Sequence, residues 1–161
     1  MEDQQAFLPP TETVTVFSIP AKLHPPLDVS RITKEEGVKK LIKELLDAHG
    51  WFHWMPPANG FGKGGVSDHN ALKEGVFIVI EAKFRYAKPT AMQRAFAASI
   101  MANDCYAFCV DERNIDHLAW WLESFEVAKQ CEMRGQPVPA EHGSRLLNAI
   151  SALTAKFQEE A

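Results

Sequence analysis

The sequence predicts an α/β domain in which helices pack around a mixed β-sheet, and three observations carry that expectation. The run VFIVIEAKF at 76–84 is apolar on both faces over 76–80, the pattern of a strand buried in the middle of a sheet. Apolar residues recur with helical spacing over 33–49 and again over 144–157. The elements run helix, strand, hairpin, helix, strand and then two helices, an order that suits helical layers on a sheet.

Residues 1–30 contain Pro9, Pro10, Pro20, Pro25 and Pro26 and read as an N-terminal extension. Only TVTVFSI, 13–19, is strand-like there, and as an edge strand. From Thr33 to His49, Val38, Leu41, Ile42, Leu45 and His49 share one helix face. Thr33 is expected as its N-cap, Glu36 completes a capping box, and Gly50 stops the helix. WFHWM, 51–55, reads as a short strand, and PPANGFGKGG as a loop.

VSDHNAL and GVFIVIEAKF bracket a hairpin turn at Lys73-Glu74-Gly75. Pro89 suits the first turn of a helix running to about Ala102. CYAFCV is the next buried strand, and Asn114 caps a long helix closed by Gly135 and Pro137. Ser144 is expected to cap the last helix, with Leu146, Leu147, Ile150, Leu153 and Phe157 as its apolar stripe. The core is expected over 31–112, with 113–161 a helical part packed on the same domain.

Composition narrows the function. With 161 residues, 46% of them hydrophobic, the chain can bury one substantial core. No run approaches the length of a membrane span, and MEDQQAF lacks the basic and apolar parts of a secretory signal. A soluble, cytoplasmic protein with no membrane partner is expected. Cys105, Cys109 and Cys131 make no disulfide framework and read as small hydrophobes.

The net charge of −4 argues against broad affinity for nucleic acid, but its distribution is uneven. Six basic and three acidic residues fall in 63–94, against five basic and ten acidic in 95–161. A polyanion would meet the middle of the chain.

The strand 76–84 ends by placing Glu81 and Lys83 two residues apart, on one face. Such charges on an apolar strand are costly unless paired, and a metal ion with a phosphate is the expected pairing. Asp68 lies across the hairpin and can converge with Glu81. These carboxylates, with the main-chain carbonyl of Ala82, are hard oxygen donors that suit Mg2+ or Mn2+. Lys83 can orient or deprotonate a water, or neutralise a phosphate oxygen. On the first helix, Glu35 lies about 60° from the centre of the buried face and Glu36 about 160° away. Glu35 is therefore the expected auxiliary ligand.

Asp68, Glu81-Ala82-Lys83 and Gln93 on the next helix together resemble the PD-(D/E)XK nuclease superfamily. The closest likeness is to its VRR-NUC branch, with Glu35, Gly65-Val66-Ser67-Asp68, Glu81-Ala82-Lys83 and Gln93 in the order of that pattern. Ser67 stands where the pattern has a proline. The resemblance covers roughly Glu35 to Asp111. It implies a restriction-endonuclease-like core of helix, mixed sheet with central hairpin, helix and strand, carrying extra C-terminal helices. It also implies magnesium-dependent DNA cleavage, with small stand-alone members, typically phage-encoded, acting as dimeric endonucleases on branched DNA such as Holliday junctions. The rival reading is a DNA- or protein-binding module on the same scaffold, without turnover.

Other residues have lesser claims. Gln93 can touch the phosphate, the water or Lys83, or simply face solvent. Lys63, with Gly60, Gly62, Gly64 and Gly65, can hold DNA phosphates or form a plain flexible connection. Arg85, Lys88 and Arg94 can track a nucleic-acid backbone. His69 neighbours Asp68 and can touch substrate. His49, His53 and His69 lack zinc spacing, and HNH chemistry would need further histidines downstream. Trp120 and Trp121 cannot both face inward on a helix, which suggests a homodimer covering one of them.

Overall fold

The sheet is built around one strand whose two faces are both covered. In the computed structural model, which describes residues 27–57 and 64–159, the elements are α1 (Glu35–Ala48), β1 (Phe52–Trp54), β2 (His69–Lys73), β3 (Val76–Ala82), α2 (Ala91–Met101), β4 (Tyr106–Val110), α3 (Ile115–Met133) and α4 (Ala140–Gln158). The expected edge strand at 13–19 and the residues Gly60, Gly62 and Lys63 lie outside the described residues. The strand order is β1-β2-β3-β4. The first three are antiparallel, and β4 joins β3 in parallel. A parallel neighbour needs a crossover, and α2 supplies it.

On one face Ala71, Ile78, Ile80, Ala82, Phe108 and Val110 pack with α1 and α3. On the other, Val79, Ala107 and Cys109 meet Ala97, Phe96 and Ile100 of α2 and Phe157 of α4. Strand alternation puts Glu81 on this second face. Among the described residues the fold is thus α/β with a mixed, four-stranded open sheet. Among the described residues, no helix is long and apolar enough to cross a membrane.

Several boundaries fall where the sequence signals put them. Gly50, at φ 65°, ends α1, and the Trp51 amide donates to Leu46 O at 3.0 Å. Glu74 (φ 49°) and Gly75 (φ 78°) make the two-residue turn between β2 and β3. Two consecutive positive φ values match the twist of a tight hairpin. Gly135, at φ 63°, follows α3.

Other cap assignments need correction. The N-cap of α1 is Lys34, not Thr33, and no side chain caps it. Lys34 is the extended residue, so Glu36 sits two positions on and the three-residue spacing of a capping box is not met. Pro89 lies outside α2, whose N-cap is Thr90, in a capping box with Gln93. Asn114 does occupy the N-cap of α3, but its side chain bonds the Asp111 amide and the Cys109 carbonyl instead.

Ser144 lies inside α4, which starts four residues earlier, with Pro139 as its N-cap and Pro139 O accepting from the Gly143 amide at 3.1 Å. Leu147 leaves the apolar stripe and is 71% exposed. It follows Leu146 by about 100° around the helix, and Leu146, Ile150 and Leu153 take the core side. Of the adjacent tryptophans, Trp121 is buried among Trp51, Phe108 and Phe125. Trp120 is half-buried and edge-on to His117 at 5.0 Å. Cys109 and Cys131 are buried and Cys105 is half-buried, all three free.

Candidate functional site

The antiparallel ladder between β2 and β3 ends at the pair His69 and Ile80, leaving the next amides of β3 to find other partners. Asp68, one residue before β2, supplies one. Its Oδ2 accepts from the Ala82 amide at 2.9 Å. The Lys83 amide donates to Val110 O at 2.8 Å, extending the parallel ladder one residue past β3. These two bonds fix the backbone on which Glu81 and Lys83 stand.

Glu81 is 1% exposed. Its Oε1 accepts from Lys83 Nζ at 2.6 Å and from Gln93 Nε2 at 2.5 Å. Its Oε2 is buried with no hydrogen-bond partner among the described residues. Gln93 arrives fixed, because its Oε1 accepts from the Thr90 amide at 2.8 Å. The capping box thus serves both to start α2 and to aim one amide at Glu81. The last glycines of the loop bring that helix close. A Cβ on Gly65, at φ 81°, would stand 2.7 Å from the Met92 backbone, so only glycine packs there.

Asp68 Oδ1 pairs with Lys39 Nζ at 2.8 Å, and the same ammonium pairs with Glu35 at 3.0 Å. Glu35, Asp68 and Glu81 therefore belong to one electrostatic neighbourhood. Burial pushes the Glu81 carboxyl up to about 7, the Asp68 charge adds to this, Lys83 opposes it, and Glu35 adds a little more. Burial works against the Lys39 ammonium, but the hydrogen bonds it donates to Asp68 and Glu35 outweigh it and hold its pKa above the usual lysine value.

The flanking candidates are placed differently. His69 is fully buried on the opposite strand face, and burial lowers its pKa to about 4. That placement leaves it no surface for a substrate. Arg94 donates to Pro89 O at 2.7 Å, and Lys88 pairs with Glu159 at 3.5 Å. Arg85 is exposed, with its guanidinium 5.0 Å from the Phe84 ring. His49 and His53 contact Glu126 and Asp47, two different carboxylates. Among the described residues, no three His, Cys, Asp or Glu side chains are gathered as they stand to hold a metal ion.

Two features were not anticipated from the sequence. Lys39 follows Glu35 by four residues, a helical spacing that was itself a signal of pairing. Asp111 ends the apolar run CYAFCV much as Glu81 ends VFIVI. It is buried and bonded by Arg113 and by Lys156 Nζ at 2.5 Å.

No protein-family model matches the chain, and a search of curated proteins likewise gave no match.

Proposed function

We propose that the protein is a divalent-metal-dependent DNA endonuclease hydrolysing phosphodiester bonds, with branched DNA as the substrate class its resemblance implies. The observation that carries this reading is Glu81. It is a buried carboxylate with one oxygen unpartnered among the described residues, an ammonium on the other, and two more carboxylates within electrostatic reach. A buried acceptor with no partner is costly, and a cation relieves both that cost and the repulsion among the carboxylates.

The donors are hard oxygens, so the residues fit Mg2+ or Mn2+. Asp68, Glu81 and the Ala82 carbonyl would hold the ion, with Glu35 auxiliary. When bound, such an ion supplies Lewis acidity toward a phosphoryl oxygen and acidifies a water. The chain's own residues do the rest. Gln93 and Lys83 grip one oxygen of Glu81 and leave the other for a ligand. Lys83, anchored by its amide to Val110, orients the attacking water or neutralises a nonbridging oxygen. The antiparallel β1–β3 meander, the α2 crossover and parallel β4 support a restriction-endonuclease-like core. A homodimer belongs to this reading through the resemblance alone.

One observation favours the second reading, a binding module without turnover. Lys39 already stands between Glu35 and Asp68, at 3.0 and 2.8 Å, where a cation would otherwise sit. Incubation with branched and linear DNA separates the two, with magnesium, manganese or EDTA present. Cleavage is expected with either metal, with a loss on the order of a thousandfold in Lys83→Ala. Cleavage that survives EDTA or Lys83→Ala overturns the nuclease reading.

A further inference from the structure

Immediately beyond Lys83 the chain makes an exposed turn, Phe84 to Lys88, whose backbone is held more firmly than its exposure requires. Arg85 takes a left-handed conformation, φ 56°, which costs a non-glycine residue energy and needs support. Support comes from three side chains. The Arg85 amide donates to both oxygens of Glu112, at 3.1 and 2.9 Å. Its carbonyl accepts from Arg113 Nη2 at 2.9 Å and Lys156 Nζ at 3.4 Å, and Lys156 also reaches Ala87 O at 3.5 Å. Lys156 and Arg113 are in turn fixed by buried Asp111.

On this pinned turn stands Tyr86, 83% exposed. The Arg113 guanidinium covers one face of its ring at 4.9 Å from the centroid. The other face is left to solvent. A large exposed aromatic on a rigid backbone, with one face occupied by a cation, is a preorganised stacking surface. It loses little entropy on binding a flat ligand, and the guanidinium adds positive potential for a polyanion. Among the described residues, the other exposed aromatics, Phe52 and Trp54 on β1, pack on each other at 5.7 Å, and Trp54 also stacks on Phe77 at 6.2 Å.

We propose that Tyr86, backed by Arg113, stacks on an unpaired base of the bound nucleic acid, three residues along the chain from Lys83. The choice of nucleic acid as ligand rests on the nuclease reading, and the unpaired base is what the open ring face adds to it. A fully paired duplex presents no free base face, whereas a branch point or single strand does. The Tyr86–Arg113 shelf thus supplies a preference for disrupted pairing, and the metal site need supply none.

The test is a binding measurement in EDTA, so that no cleavage is needed. The probe is a short single-stranded DNA carrying one fluorescent adenine analogue, compared with the same strand fully paired. The wild type is expected to bind the single strand and change its fluorescence. Tyr86→Ala should weaken single-strand binding about tenfold and abolish the fluorescence change, with duplex binding altered less than about twofold. Tyr86→Phe should keep both. Tyr86→Ala binding the single strand within about twofold of wild type overturns the proposal, as does an equal loss on duplex. Magnesium-dependent hydrolysis, measured separately, reports on the nuclease reading: Tyr86-dependent binding without hydrolysis rejects that reading alone, and hydrolysis with Tyr86-independent binding rejects the shelf alone.

Discussion

Glu81 on β3 and Asp111, one residue past β4, lie on neighbouring parallel strands and are each 1% exposed, yet their surroundings push them in opposite directions. Both oxygens of Asp111 are taken. Oδ2 accepts from Arg113 and Lys156, and Oδ1 from the amides of Arg113 and Asn114. Burial alone would raise its pKa, but the hydrogen bonds to Arg113 and Lys156 more than reverse that and leave it below the usual carboxylate range. Glu81 has one ammonium and one amide on one oxygen and, among the described residues, no partner on the other, and is pushed up to about 7. Equal exposure therefore accompanies two kinds of carboxylate, one set by its partners and one by burial. One is a finished lock that ties α4 to the end of β4, and the other keeps an oxygen without a hydrogen-bond partner among the described residues, the feature on which the proposed cation site rests.

Breaking the lock should have the larger effect on stability. Asp111→Asn leaves Lys156 buried without its charge partner and should cost about 3–5 kcal/mol, read from denaturant unfolding. The double variant with Lys156→Met should recover much of that loss. A small effect from Asp111→Asn alone would erase the distinction between the two carboxylates.

At Glu81 the sign reverses. The fold raises the Glu81 pKa from 4.5 to about 7, so it favours the neutral acid. Ionisation then costs stability, a cost that begins as pH rises past the unfolded value and is complete above about 7. It amounts to about 3 kcal/mol without metal. Glu81→Gln should therefore be the more stable protein at pH 8 in EDTA by roughly that amount, and the difference should vanish near pH 4. Equal unfolding curves at pH 8 would show that Glu81 carries no such burden.

The fold's order of elements was legible because its signals are local: the apolar run at 76–80, the Glu74-Gly75 turn and the helical stripe of α1. Caps were less so. At both Lys34 and Pro139 the N-cap makes no side-chain cap hydrogen bond, so the residue types that signal a cap, Thr33 and Ser144, pointed elsewhere. At the site, Glu81, Lys83 and Asp68 stood out as charges beside apolar strands. Lys156 could not, because its partner Asp111 is 45 residues away and nothing in the helix around it marks the pairing. His69 looked available from its place beside Asp68, but strand alternation turns it to the buried face.

The claim that Glu81 completes a cation site is tested most directly by calorimetric titration of the folded protein with magnesium at pH 8, wild type against Glu81→Gln. Wild type should bind the ion and gain about 2–3 kcal/mol of stability at a hundredfold excess over Kd, and Glu81→Gln should lose most of both. Wild type that takes up no magnesium, or a variant that binds it equally well, would contradict the account.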